Sequence, residues 1–173
     1  IMLKSLFYFL FFILVLVFFR LAPHPPNFTP IIASAIMGPI FLKDRITGSA
    51  IPIFAMFISD AFIGFHPYQF IVYSTLISIS IFSVYLKGFL SVIIFSIIGS
   101  SWFYLTTNFS VWLIWDYYPK TLEGLLSCYI MAIPFFANTL ISSILFVSLF
   151  YYSKNILEQF QNYSFKFFNT IKK

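Results

Sequence analysis

Charged residues are so sparse in this chain that they divide it into long apolar segments. Of 173 residues, 10 are Lys or Arg and 5 are Asp or Glu, while 61% are hydrophobic and 26 are Phe. Soluble domains carry roughly 25% charged residues, because polar side chains must cover the apolar interior. The composition therefore excludes a soluble enzyme, a disordered chain, a nucleic-acid-binding domain and a disulfide-stabilised scaffold. It predicts a polytopic, all-α membrane protein.

Six apolar segments predict six transmembrane helices, because a helix needs roughly 20 residues to cross the hydrocarbon core. They cover residues 5–21, 31–42, 46–64, 68–86, 89–106 and 124–153. We expect the first to be retained and not cleaved as a signal peptide, since no small-residue cleavage site follows it. The second is short, and part of the Pro-rich segment 22–30 is expected to complete it inside the protein. Residues 1–153 are thus predicted to form one six-helix transmembrane domain.

The basic residues predict the orientation of these helices. Cytoplasmic loops of membrane proteins are enriched in Lys and Arg. With both termini in the cytoplasm, the outside holds only Arg20 and Lys120. The inside then holds the other eight: Lys4, Lys43, Arg45, Lys87, Lys154, Lys166, Lys172 and Lys173. This bias predicts a multi-pass membrane protein with both termini cytoplasmic.

The C-terminal segment 154–173 has a different pattern. Its apolar residues recur at helical spacing and its lysines lie elsewhere on the helical wheel, which predicts an amphipathic basic helix on the cytoplasmic leaflet, in contact with membrane lipid. These apolar residues are Ile156, Phe160, Tyr163, Phe167 and Ile171.

Most other polar residues fall on the outer half of the predicted bundle. This asymmetry favours a pocket that opens to the outside. The group comprises Arg20, His24, Asn27, Thr29, Asp60, His66, Tyr68, Asn108, Asp116, Lys120 and Glu123. Asn27 and Thr29 lie in the Pro-rich segment, whose stiffness lowers the ordering cost of binding. A plain helix connector is the alternative, and we favour the binding role.

Asp60 is the one carboxylate inside a predicted membrane helix. Such groups cost about 2.5–3.5 kcal/mol at the helix centre, so they face protein or a cavity and pair with other groups. Asp60 is either a ligand or proton contact, or a structural residue, as an interfacial acid or a pair with Arg20. The sequence does not separate these two roles.

Two further regions supply candidate binding residues. Asn108 and Trp112 are four residues apart, so on a helix they share a face and can supply an amide contact and a stacking wall. An aromatic belt at the interface is the alternative. Asn138 lies in the sixth segment. It either forms the floor of a pocket or makes a helix–helix hydrogen bond, and we favour the hydrogen bond. His24 and His66 lack the Cys or carboxylate partners of a metal site. We therefore predict no metal, cofactor or catalytic residue, and the absence of a P-loop excludes ATP hydrolysis by the chain itself.

Five runs of residues resemble an uncharacterised bacterial integral-membrane family that is similar to the substrate-binding S components of energy-coupling factor transporters. The runs are 20–39 (RLAPHPPNFTPIIASAIMGP), 52–66 (PIFAMFISDAFIGFH), 107–113 (TNFSVWL), 118–129 (YPKTLEGLLSCY) and 132–140 (AIPFFANTL). The resemblance implies a six-helix, S-component-like bundle that takes up a small vitamin-like micronutrient, with a transmembrane coupling protein and two ATPases as partners. The ligand-binding residues carried over are Asn27, Thr29, Asp60, His66, Asn108, Trp112 and Asn138.

The chain departs from S components in the helix that they use to dock on the coupling protein. S components typically carry small residues at four-residue spacing in helix one, where this chain has SLFYFLFFILVLVFF. Ser34 and Gly38 have that spacing, but in helix two. Either docking differs or the protein does not join such a transporter.

Two functions are alternatives to substrate binding. One is a structural subunit of a larger membrane complex, and the other, ranked last, is an intramembrane enzyme that uses Asp60 with His24 or His66.

Overall fold

The computed structural model describes the backbone of residues 2–171 and the side chains of residues 6–160. Within this range the chain is entirely helical apart from turns and connections. The six helices are α1 (Met2–Leu21), α2 (Ile31–Leu42), α3 (Arg45–Ile63), α4 (Gln69–Ser83), α5 (Phe89–Ile114) and α6 (Leu122–Ile171). The all-α prediction is confirmed.

The predicted helix boundaries agree with the structure except in the second half of the chain. α2 has the predicted bounds, whereas α5 continues to Ile114, past the predicted end at residue 106. The polar-aromatic segment 107–122 was expected to be a connection with room for a half helix. Instead, Thr107 Oγ1 donates to the Phe103 carbonyl at 2.7 Å and Asn108 Nδ2 donates to the Tyr104 carbonyl at 2.8 Å. Each side chain hydrogen-bonds to a backbone carbonyl one turn earlier in the same helix, so these polar residues are compatible with a continuous helix.

α6 is one continuous helix of 50 residues that includes Pro134. The predicted amphipathic segment 154–173 is therefore the extension of the sixth helix within the described backbone. Near its start, Glu158 accepts hydrogen bonds from Lys154 at 3.0 Å and pairs with Lys43 of the α2–α3 turn at 3.2 Å. Side chains from residue 161 onward lie outside the described part, so the position of this segment on the leaflet stays a prediction.

α2 is the centre of the bundle, since it contacts each of the other five helices. Every residue from Ile31 to Pro39 is buried. A Cβ on Gly38 would lie 2.6 Å from the Gly48 carbonyl oxygen, so the α2 and α3 backbones touch at these two glycines. The small residues Ser34 and Gly38 therefore serve packing inside the protein and are not on its surface.

The remaining helices surround α2. α1 packs on α3, α3 on α4, α4 on α5 and α5 on α6. Aromatic rings close the ring of helices between α1 and α6, where Phe12 meets Phe150 at 5.2 Å and Phe19 meets Phe146 at 5.1 Å. α3, α5 and the segment 122–160 of α6 are each long and apolar enough to cross a membrane; the other apolar helical segments are shorter. Membrane association follows from these three helices, and the six-span topology stays a prediction.

Candidate functional site

A cavity of about 260 Å³ lies at the end of the bundle where α1 ends and the Pro-rich segment begins. α1 and that segment contribute Arg20 and Asn27, and the α3–α4 connection contributes His66 and Tyr68. The C-terminal half of α5 and the N-terminal half of α6 complete the walls. They bring Asn108 together with several aromatic rings. Of the seven predicted binding residues, three line this cavity: Asn27, His66 and Asn108.

Beside the cavity, Asp60 is the hub of a buried hydrogen-bond network. Its side chain is 1% exposed, and its Oδ1 accepts from Arg20 Nη2 at 2.5 Å. Its Oδ2 accepts from the Tyr73 hydroxyl at 2.9 Å and from Gln69 Nε2 at 3.1 Å. The network ties α1, α3 and α4 together. Of the two roles left open by the sequence, the pair with Arg20 is present, and Asp60 itself does not line the cavity.

Arg20 links this network to the cavity. Its guanidinium uses one nitrogen on Asp60, and Nη1 donates to the thioether sulfur of Met56, which is a weak acceptor. Nε is buried and has no hydrogen-bond partner among the described residues. A guanidinium has five N–H donors, so Arg20 retains hydrogen-bonding capacity where it lines the cavity.

The Pro-rich segment is fastened to α6 by a side-chain hydrogen bond. Asn138 Nδ2 donates to the Pro26 carbonyl at 2.9 Å, so Asn138 fastens the segment and is not a lining residue. The next residue, Asn27, has φ 61°, a left-handed conformation that asparagine tolerates better than most residues. Its backbone carbonyl accepts from Thr29 N at 3.1 Å. Thr29 is half-buried in this turn and lies outside the lining.

The α5–α6 wall supplies an amide among aromatic rings. Asn108 uses its Nδ2 on the Tyr104 carbonyl, while no hydrogen bond reaches its Oδ1 among the described contacts. The amide oxygen is therefore an acceptor with no protein donor. The rings around it belong to Phe103, Tyr104, Phe135 and Phe136.

Trp112 shares α5 with Asn108 but serves the turn that follows. Its Nε1 donates to the Pro119 carbonyl at 2.9 Å. Lys120 Nζ contacts the Trp112 and Trp115 carbonyls at 2.5 and 2.6 Å. A Cβ on Gly124 would lie 2.0 Å from the Pro119 oxygen, so this connection is tightly folded. Trp112 is absent from the cavity wall.

His66 lies between the network and the cavity, in the connection from α3 to α4. Its ring stacks on Tyr68 with centroids 4.1 Å apart. Burial lowers the pKa of His66 from its ordinary value; the nearby Asp60 opposes this change, and Arg20 adds to it. The neutral imidazole is therefore favoured. Its Nδ1 is buried without a hydrogen-bond partner among the described residues.

Several residues of this region escaped the sequence reasoning. Gln69 and Tyr73 complete the Asp60 network, and a glutamine at the start of an apolar helix was the signal that could have drawn attention to the first. The aromatic lining residues carried no such signal, because lipid-facing segments of this chain are equally rich in Phe. The described side chains contain no group of three or more His, Cys, Asp or Glu residues that could hold a metal ion.

No curated protein and no solved structure matches the chain. One family model matches residues 2–165, which is nearly the whole length. The chain belongs to this family, a family of unknown function (DUF6580).

Proposed function

We propose that the protein is a multi-pass subunit of the bacterial inner membrane that binds a small organic nutrient from outside for uptake. The observation that carries the proposal is the cavity beside Arg20. Its hydrogen-bonding groups from three parts of the chain lie among aromatic rings, and the protein leaves the Asn108 amide oxygen and part of the Arg20 donor capacity unused. Small-molecule sites combine an apolar lining with a few placed polar groups in this way. The cavity lies at the end of the bundle that the basic residues predict to be exterior.

The lining favours a compact, uncharged heterocycle. A cavity of about 150 Å³ accepts benzene, so 260 Å³ has room for a substituted or fused ring. Phe103, Tyr104 and Phe136 offer faces for stacking. The charge of Arg20 is already balanced by Asp60, so an anionic ligand would leave an excess negative charge in a low-dielectric site. A hydrogen-bond acceptor on a neutral ring suits the remaining donors of Arg20 without that cost.

Energy for uptake would come from partner proteins, a transmembrane coupling protein and ATPases. The sequence has no P-loop of its own. Because Ser34 and Gly38 are buried in the bundle, a coupling protein would dock on other residues. Solute binding and partner docking are thus separable parts of the proposal.

The first experiment is native mass spectrometry of the purified protein, followed by thermal-shift measurements with a panel of neutral heterocyclic vitamins. We expect a bound solute of defined mass, and a member of the panel that raises the melting temperature. Asn108→Ala should weaken that binding about tenfold, the scale of one hydrogen bond in a dry site. Asn155→Ala is the matched control, since it removes an amide from α6 outside the cavity.

Two results would count against the nutrient-binding role. One is the absence of any bound solute together with no thermal shift across the panel. The other is an equal loss of binding in both asparagine variants.

A structural subunit of a larger membrane complex is the second candidate. The outward face of α1 favours it, because Phe7, Leu14 and Phe18 are 64, 69 and 68% exposed. Such a face suits lipid or a partner helix. Stoichiometric copurification with a complex that does not transport solutes would support this role.

A further inference from the structure

We infer a binding site for an anionic phospholipid between α3 and α4, at the opposite end of the bundle from the cavity. The site is separate from the nutrient cavity: Arg45 and Asp60 are 15 residues apart on α3, about 22 Å along the helix axis. Two neighbouring recesses meet there, and Arg45 lines both of them. One recess is apolar and the other is charged, which matches the two parts of a phospholipid.

The apolar recess is a groove of about 380 Å³ between α3 and α4. α3 contributes Ile46, Ala50 and Ile53, and α4 contributes Ile77 and Ile81. No described side chain fills it. A groove of this size along two apolar helices takes part of an acyl chain, which it holds by van der Waals contact with the isoleucine side chains.

The charged recess has a volume of about 310 Å³ and lies at the α2–α3 turn. Its lining combines Lys43, Asp44 and Arg45 with four apolar residues, and its formal charge is positive. Asp44 is committed to capping α3, since its Oδ2 accepts from Thr47 N at 2.8 Å. Lys43 pairs with Glu158 between exposed side chains, an arrangement that contributes little. Arg45 stacks over the Tyr85 ring at 4.8 Å and has no ion pair among the described residues.

The depth order of α3 side chains follows the polarity of a phospholipid. Arg45, Ser49 and Ile53 are each four residues apart on one helix, or about 6 Å in depth per step. Arg45 is placed for the phosphate, and Ile53 for the acyl chain. Ser49 lies between them and lines the apolar recess. The basic residues predict this end to be cytoplasmic, where anionic headgroups attract Lys and Arg.

The test uses full-length protein in nanodiscs that contain equal amounts of phosphatidylglycerol and phosphatidylcholine. After transfer to detergent, lipids retained on the protein are identified by native mass spectrometry. We expect preferential retention of phosphatidylglycerol. Arg45→Gln should lower that retention about fivefold, as one basic residue near a membrane contributes about 1 kcal/mol. Ala50→Phe should lower it as well, because it fills the groove while leaving the charge in place.

Lys87→Gln is the matched control, because it removes a basic charge from the same predicted face but outside both recesses. Equal retention of the two lipids by the unsubstituted protein would overturn the inference. So would equal losses from Arg45→Gln and Lys87→Gln, which would show only general attraction to an anionic surface. Competition by soluble glycerol phosphate at the same concentration as lipid would assign the recess to a free phosphate instead.

Discussion

Two polar clusters lie side by side at one end of the bundle, and they differ in how completely the protein satisfies them. In the first, both oxygens of Asp60 have protein partners from α1 and α4. In the second, the cavity wall around Asn108 and His66, the Asn108 amide oxygen accepts no hydrogen bond from the described residues. A satisfied buried cluster stabilises one arrangement of helices, whereas unsatisfied groups around a space are available to a ligand. The comparison assigns stability to the first cluster and binding to the second.

The largest expected effect comes from breaking the satisfied cluster. Asp60→Asn removes the negative charge and leaves the half-buried guanidinium of Arg20 unpaired, and loss of one partner of a buried ion pair costs about 3–5 kcal/mol. We expect a marked fall in melting temperature of the purified protein in detergent. Asp116→Asn is the matched control, because that side chain is fully exposed and its one ion pair among the described residues is with Lys120 at 3.8 Å.

A double substitution sharpens this result. Arg20→Met with Asp60→Leu removes both charges together, and replacement of a buried pair by apolar residues is often close to neutral for stability. The double variant should therefore recover much of the stability lost in Asp60→Asn. It should still bind the solute poorly, because Arg20 lines the cavity. Equal melting temperatures for Asp60→Asn and Asp116→Asn would show that the network does not stabilise the fold.

The second prediction tests the unsatisfied cluster at Asn27. This residue has φ 61°, so alanine there adds strain of about 1 kcal/mol, whereas glycine adopts the angle freely. Both Asn27→Ala and Asn27→Gly remove the amide, and we expect both to weaken solute binding about tenfold. Only the alanine variant should also melt at a lower temperature. Unchanged binding in the glycine variant would limit Asn27 to a backbone role.

The contrast between the clusters also shows what the sequence could predict. α2 has the predicted bounds because Pro30 and the charged turn after Leu42 stop the apolar segment on both sides. The predicted end of α5 at residue 106 was wrong, because Thr107 and Asn108 hydrogen-bond to carbonyls of their own helix, which continues. Side-chain hydrogen bonds of this kind are not visible in a hydropathy pattern.

The candidate site was predictable to a similar extent. The polar end of the bundle and the Arg20–Asp60 pair follow from the few charges in apolar segments. The sequence does not predict which asparagines line the cavity and which fasten the fold, because this depends on which carbonyl each side-chain amide contacts in the folded protein. Asn108 lines the cavity, whereas Asn138 reaches Pro26, 112 residues away in sequence.

The third prediction concerns Trp112, which the sequence analysis predicts to bind ligand and which in the structure stabilises the turn after α5. Trp112→Phe keeps an aromatic ring and removes the hydrogen bond from Nε1 to the Pro119 carbonyl. We expect a stability loss of about 1 kcal/mol, the usual scale for one hydrogen bond, measured by thermal unfolding. Solute affinity should not change. A loss of affinity as large as that in Asn108→Ala would return Trp112 to the binding residues.

The smallest expected effect belongs to His66, which lines the cavity and also lies within the electrostatic field of Arg20 and Asp60. Its pKa is lowered in the folded protein, chiefly by burial, so the unfolded chain binds the proton more readily. Stability is then complete above the unfolded pKa of about 6.5 and decreases as the pH falls through the window below it. We expect the melting temperature to fall between pH 7 and pH 5.5.

His66→Phe keeps a ring to stack on Tyr68 and cannot titrate, so it should flatten this pH dependence, whereas His24→Phe should leave it in place. The effect is small because His66 is only partly buried. A solute that occupies the cavity would bury His66 further and lower its pKa again, so bound solute should steepen the fall in stability. If the solute left the pH dependence unchanged, His66 would belong to the satisfied cluster and not to the cavity.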